Sequence, residues 1–298
     1  IAAALGALAL PALAGADSRF ADVRVITGDG DTLAEFRQYS DDVRFRASRR
    51  ADCFGESNPS SNRRYELDRP TPLGALVDAE DHHDALSPLL ITDAFVDDGF
   101  GFGVCSIGGV ETVGFSYWYL AVNRAGASTG PDLIPMRNGD THLWYLTKGT
   151  EPGFPNELLL KAPARVEPGT PFEVRVVRFA GDGSREPAAG VMVSNAIAPT
   201  DSEGRTTAVV TSRFTRLQAT GADDDVPSNR VRVCASDPVS DCPPAHGKRI
   251  FGSGGPDRIA ATRGPDVISC RGGRDVVVAR KGDRGDRIAD SCERVVRR

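Results

Sequence analysis

The sequence predicts a mainly β, multi-domain protein, and three observations carry that expectation. Glycine (32) and proline (20) are frequent among the 298 residues, which favours short strands joined by turns over long helices. Short valine-rich runs recur between stretches of Gly, Asp and Pro. The six cysteines fall into three neighbouring pairs, Cys53 with Cys105, Cys234 with Cys242 and Cys270 with Cys292, spaced as though each closed one unit. The length suits two or three domains, each large enough to bury its own core.

Residues 1–16 are uncharged and rich in Ala and Leu, with Pro11 ahead of two small-residue triplets, Ala12-Leu13-Ala14 and Ala14-Gly15-Ala16. They read as an export signal peptide, begun inside the signal because no initiator Met or basic stretch precedes it. A membrane anchor is the alternative, although about 20 apolar residues are needed to span a bilayer. Six cysteines allow fifteen connectivities. The sequential one is preferred because each pair then lies within one proposed unit, and no C-x-x-C or His-rich spacing offers zinc instead. Disulfides persist in an oxidising compartment, so the chain is expected outside the cell, secreted or loosely surface-associated.

Net charge is −5, unevenly spread. Residues 246–298 hold 13 basic and 7 acidic side chains, a surplus of +6 that leaves −11 for the rest. A basic exported tail suits an anionic cell-envelope polymer or a surface glycan. Nucleic acid suits it less, because no aromatic residue follows Phe251 to stack on bases.

The first unit is placed at 17–150, after the signal at 1–16. Val23 to Ile26 and Val43 to Arg46 read as strands around the turn-forming Gly28-Asp29-Gly30-Asp31. Thr71-Pro72-Leu73-Gly74-Ala75-Leu76-Val77 has a cap, Pro at the first helical position and apolar Leu73, Leu76 and Val77, so it reads as the helix. Four blocks follow: Gly99-Phe100-Gly101-Phe102-Gly103, Ser106-Ile107-Gly108-Gly109, Tyr117-Trp118-Tyr119 with Asn123, and Gly139-Asp140 before Leu143-Trp144-Tyr145. Their order resembles a bacterial domain related to the C-terminal β domain of transcobalamin and intrinsic factor. The resemblance implies a β-grasp-like α+β sheet around one helix. Tyr117, Trp118 and Trp144 would then be candidate ligand-stacking residues, with core packing as the other reading of aromatics in strands. The α-helical barrel that holds cobalamin in the vertebrate proteins has no counterpart here. Asp81-His82-His83-Asp84 is expected to be a solvated loop, since adjacent histidines diverge too far to share one ion. Ser116 lacks the final Gly of a nucleophile elbow.

The second unit, 158–234, alternates Glu173 to Arg178, Gly190 to Val193, Thr206 to Val210 and Arg230 to Val233 with turns, an immunoglobulin-like β-sandwich pattern. Thr200-Asp201-Ser202-Glu203-Gly204-Arg205-Thr206 is similar to the strand-turn signature of bacterial Ig-like surface modules, which act as spacers or adhesive units.

A proline-rich linker, 235–248, leads to a tail at 249–298 with an internal period. Asp257, Asp266 and Asp275 are nine residues apart, each followed two residues on by Ile259, Ile268 or Val277, and a unit at Asp286 arrives two residues late. The repeats resemble hemolysin-type (RTX) calcium-binding nonapeptides. The resemblance implies a short β-roll-like tail with calcium at Asp257, Asp266, Asp275 and Asp286, where Asp257 and Asp275 share one edge and Asp266 faces Asp283 or Asp286 on the other. The family's paired glycines are mostly replaced, and Arg258, Arg263, Arg271 and Arg274 crowd the same loops. A degenerate repeat locked by a Cys270–Cys292 disulfide and Arg–Asp pairs is the alternative.

No nucleophile stands with a base and an orienting acid, so an enzyme is not expected. The sequence points to a secreted or cell-surface, non-enzymatic binding or adhesion protein of bacterial type. A calcium-stabilised extracellular structural protein is the second reading, and a cobalamin-related binder the third.

Overall fold

The computed structural model describes residues 18–149, 153–222, 225–281 and 285–298, so the expected signal segment lies outside the described residues. The chain is mainly β, in several sheets, with one α-helix among the described residues. No helix among them is long and apolar enough to cross a membrane.

The first unit runs β1 (Arg19–Ile26), β2 (Thr32–Ser40), β3 (Val43–Arg46), β4 (Arg64–Leu67), α1 (Pro72–Glu80), β5 (Leu90–Phe95), β6 (Gly101–Ile107), β7 (Val110–Glu111), β8 (Trp118–Val122), β9 (Ala125–Gly126) and β10 (Asp140–Leu146). Helix α1 begins where its cap chemistry dictates. Thr71 Oγ1 accepts the Gly74 N–H at 3.0 Å, Pro72 occupies the first turn, and Leu73 and Leu76 are fully buried. β1 pairs antiparallel with β2 and parallel with β10, and β10 pairs antiparallel with β8. The result is a mixed sheet, with α1 as the one helix among the described residues of this unit.

Val23 to Ile26 and Val43 to Arg46 are strands as expected, with other partners than each other: β1 pairs with β2, and β3 with β4. β2 carries Glu35, Arg37 and Gln38 among its apolar residues and still runs through the interior, because partners elsewhere in the chain satisfy these groups. The Asp81-His82-His83-Asp84 segment is solvated only in part: Asp81 and Asp84 are exposed, but His83 is buried, its ring 4.4 Å from Phe36 and 4.8 Å from Phe251, because these two apolar rings draw it inward.

The second unit comprises β11 (Asn156–Lys161), β12 (Arg165–Val166), β13 (Phe172–Phe179), β14 (Arg185–Pro187), β15 (Met192–Val193), β16 (Arg205–Ala208), β17 (Phe214–Leu217), β18 (Ala219–Thr220), β19 (Asp225–Val226) and β20 (Val231–Ala235). Alternating Val174 and Val176, Leu158 and Leu160, and Val231 and Val233 close a separate apolar core. The tail holds β21 (Arg249–Phe251), β22 (Arg258–Ala260), β23 (Val267–Ser269), β24 (Val276–Ala279), β25 (Arg287–Ile288) and β26 (Arg294–Arg297).

The tail does not hang from its linker. β21 adds in parallel to β2, with Arg37 opposite Ile250 and Gln38 opposite Phe251, giving one eight-stranded sheet in the order β25-β23-β21-β2-β1-β10-β8-β9. The second unit covers the face of this sheet opposite α1. Val226 packs there with Ile26, Tyr119, Ala121, Leu143 and Tyr145, Arg230 N–H reaches Glu35 at 3.0 Å, and Gly126 N–H reaches the Gly181 carbonyl at 2.8 Å. At the centre of that contact the Glu157 carboxylate bridges Arg24, at 2.6 Å, and Arg124. Three disulfides, Cys53–Cys105, Cys234–Cys242 and Cys270–Cys292, join the expected pairs.

Arg24 and Glu157 expose only 7% and 6% of their side chains, so removing the acid strands a buried cation. Glu157→Ala is expected to lower unfolding free energy by about 3–5 kcal/mol, measured by urea denaturation. A cost within the range of an exposed pair would show that water reaches this contact.

Candidate functional site

The tail winds as a roll whose strands alternate between two parallel sheets, β21-β23-β25 and β22-β24-β26. The apolar residue two positions after each repeat Asp points inward: Ile259, Ile268 and Val277 are at most 1% exposed, and Ile250 is fully buried. Glycine permits the coils to approach, since a Cβ on Gly252 would lie 2.2 Å from the Cys270 carbonyl oxygen.

The aspartates turn into the roll as well. Asp257, Asp266 and Asp275 are 3%, 0% and 1% exposed, and their carboxylates serve as acceptors for the backbone. On one edge Asp275 accepts the Asp257 N–H at 2.8 Å, and Glu293 accepts the Asp275 N–H at 2.8 Å. On the other, Asp266 accepts the Lys248 N–H at 2.8 Å, and Asp286 accepts the Asp266 N–H at 3.0 Å. Each acceptor thus lies one coil beyond its donor. Within a coil, Asp257 also accepts the Ser253 N–H at 2.5 Å, and Asp266 the Thr262 N–H at 2.5 Å and hydroxyl at 2.7 Å. Ser253 and Thr262 therefore tie down their own turns. Asp283 lies outside the described residues.

Burial pushes the Asp275 carboxyl up to about 6, with Asp257, Glu293 and Asp41 adding to the effect. Asp257 and Asp41 are raised for the same primary reason. Beside them Asp78 of α1 is pushed by burial up to about 7, although Ser40 donates to it at 2.8 Å and Arg271 at 2.6 Å. Arg271 also pairs with Asp81, so one tail guanidinium spans the last turn of α1 and its C-cap. Along this seam a polar cleft of about 480 Å³ opens, walled by Arg19, Asp41, Asp42, Asp68 and Arg69.

Calcium needs six to eight oxygen ligands. Here the repeat carboxylates face N–H donors, whose positive ends repel a cation, and only Asp257 Oδ1 and Asp275 Oδ2 are buried without a hydrogen-bond partner in this pair. Among the described residues no group of three or more His, Cys, Asp or Glu is disposed to hold a metal.

Of the stacking candidates, Trp144 and Trp118 are 1% and 7% exposed within the core of the first unit, and Tyr117 alone presents a face, 43% exposed. His142 is buried with neither ring nitrogen hydrogen-bonded, and Ser116 Oγ is occupied by the Val113 backbone at 2.6 and 2.8 Å. Sequence reasoning missed Glu293, which stands eighteen residues after Asp275 and was legible from the period, and Ser253 and Thr262, four residues before their aspartates. No family model, curated protein or solved structure matches this chain.

Two outcomes follow from this geometry. A carboxyl whose folded pKa is raised favours the folded state once protonated, so Asp78 and Asp275 contribute stability below the unfolded value of about 4 that is lost as pH rises through about 6 to 7. His83 and His142, drawn down to about 4 by burial, act oppositely and cost stability as pH falls below about 6.5. They cancel in a comparison of wild type with Asp78→Asn. The stability of wild type relative to the variant should rise between pH 8 and pH 5 in urea melts, and a flat difference would contradict the assignment. Second, chelation should leave the melting of the full chain unchanged, whereas Cys270→Ala with Cys292→Ala should cost roughly 3 kcal/mol from loop entropy. A chelator-sensitive melt would make the aspartates metal ligands.

Proposed function

We propose that this chain is an extracellular, non-enzymatic binding protein of bacterial type that holds an anionic envelope polymer or acidic surface glycan on the outside of its C-terminal roll. One observation carries the reading: the roll separates its charges. Asp257, Asp266 and Asp275 are turned inward onto backbone N–H groups, while Arg258, Arg263, Arg274, Arg280 and Lys281 are exposed on successive strands and turns. Stacked strands lie about 4.8 Å apart and Arg258 and Arg294 flank Val276 on one sheet, so cations spread along the roll suit a chain of repeated anions better than one compact ligand. The three disulfides suit an oxidising compartment. The occupied Ser116 hydroxyl and the isolated, buried His142 support a role without nucleophilic chemistry. The second unit packs on the first, against the face of the shared sheet opposite α1, and acts as a spacer.

The measurement is binding of poly(glycerol phosphate) and of a neutral glucan to the full chain. The anionic polymer should bind and weaken steeply as salt rises, and Arg258→Glu with Arg274→Glu should reduce affinity at least about tenfold, a loss of about 1.4 kcal/mol. Equal binding of the neutral glucan, or no effect of the double variant, would overturn the reading.

A further inference from the structure

A second basic surface lies on the first unit. Residues 17–150 hold 21 acidic and 13 basic side chains, yet six of the 13 fall between Arg44 and Arg64, where Asp52 and Glu56 are the only acids. The β3–β4 hairpin gathers them. Its inner residues Phe45, Tyr65 and Leu67 pack on the core of the unit, and its outer face carries Arg44, Arg46, Arg64 and Glu66, all exposed.

The register sets these four in two rows. Arg44 stands opposite Glu66 and pairs with it at 2.8 Å, whereas Arg46 stands opposite Arg64. Facing side chains in an antiparallel pair leave Cβ atoms about 4.5–5.5 Å apart, where like charges destabilise the hairpin. Among the described residues neither arginine has a carboxylate partner. Arg46 donates instead to the Asn62 carbonyl at 2.9 Å, and Asn62 takes a left-handed backbone, φ 65°, at that point.

Arg49 and Arg50 extend the patch as the two exposed central residues of a turn that the Ala51 N–H closes onto the Ser48 carbonyl at 2.8 Å. Three or four residues of chain keep them within about 10–14 Å of Arg46. The backbone below is tied down on both sides. Ser48 donates its N–H to the Ile91 carbonyl at 2.7 Å and accepts the Ile91 N–H on its hydroxyl at 3.1 Å, and Ala47 and Ala51 are at most 1% exposed. On the β4 side the buried Asp93 carboxylate accepts the Ser61 N–H and the Tyr65 hydroxyl, each at 2.7 Å.

We propose that this face is an anion site separate from the roll, in which Arg46 and Arg64 share one phosphate group of a narrow, linear phosphate chain and Arg49 and Arg50 meet the groups beyond. Guanidinium forks match phosphate oxygens, and an anion between the facing pair replaces one repulsion by two attractions. The borders select a narrow chain over a flat anionic membrane. Asp97, 87% exposed and 3.9 Å from Arg63, stands beside the patch with Asp98, and Glu66 lies in the next row, so a flat negative surface would press on these acids.

The test is calorimetric titration of inorganic tripolyphosphate into the full chain carrying Arg258→Glu and Arg274→Glu, in which the contact proposed for the roll is weakened and the two sites are read apart. This chain should bind, and Arg64→Glu added to it should weaken binding at least about tenfold. Because that change also gives Arg46 an acid across the hairpin, it should raise the melting temperature of the ligand-free chain, which separates loss of the site from loss of the fold. Glu66→Gln, which removes the one acid of the face, should tighten binding. Vesicles of phosphatidylglycerol should respond to neither change. Absence of tripolyphosphate binding, an affinity that Arg64→Glu leaves unchanged, or vesicle binding that Arg64→Glu abolishes would overturn the proposal.

Discussion

The parallel pairing of β21 with β2 is the contact on which the arrangement rests. Adjacent residues on a strand point to opposite faces, and β21 uses this to serve two cores at once. Ile250 enters the roll beside Tyr39, and Phe251, the next residue, enters the first unit beside Phe36 and His83. A shift of one residue would exchange them and empty both sites. The Gln38 amide, which bonds across the seam to Gly252, holds that register. The second unit then finds a sheet face already set, and its buried Glu157 meets Arg24 and Arg124 there.

Buried charge in this molecule follows one rule, in that each group is spent on a specific donor or acceptor. Unmatched, a carboxylate in the interior of the roll would cost several kcal/mol. The short turns of the roll leave backbone N–H groups with no strand partner, and the aspartates meet that need from the next coil. The arginines have no such place inside and remain outside, so the surface of the tail is more basic than its composition alone would make it.

Local patterns were readable in the sequence, and contacts between distant segments were not. Thr71 and Pro72 announced the start of α1, the nine-residue period announced the inward Ile259, Ile268 and Val277, and the nearest-neighbour pairing of cysteines matched the three disulfides. β2 was missed because its mixture of Glu35, Arg37 and Gln38 reads as solvent-facing, and only Arg230, Asp22 and Gly252, remote in sequence, make its burial affordable. His83 was misplaced for a similar reason: its surroundings include Phe251, 168 positions away in the chain. Trp118 and Trp144 carry the same residue type whether they line a pocket or fill a core, and nothing local to them distinguishes the two.

The uneven period of the roll has a consequence for its history. Its carboxylates link residues eighteen apart, except for Asp266 and Asp286, which are twenty apart, and Glu293 takes the place of a fourth aspartate on the other edge. A strictly periodic array can slide by a whole coil and recover every bond, so it has several equivalent alignments and tolerates gain or loss of units by duplication. This array has one. The two extra residues and the longer acid each belong to a single coil, and the Cys270–Cys292 bridge ties one particular coil to the next, so the coils are not interchangeable and the register of the roll is fixed.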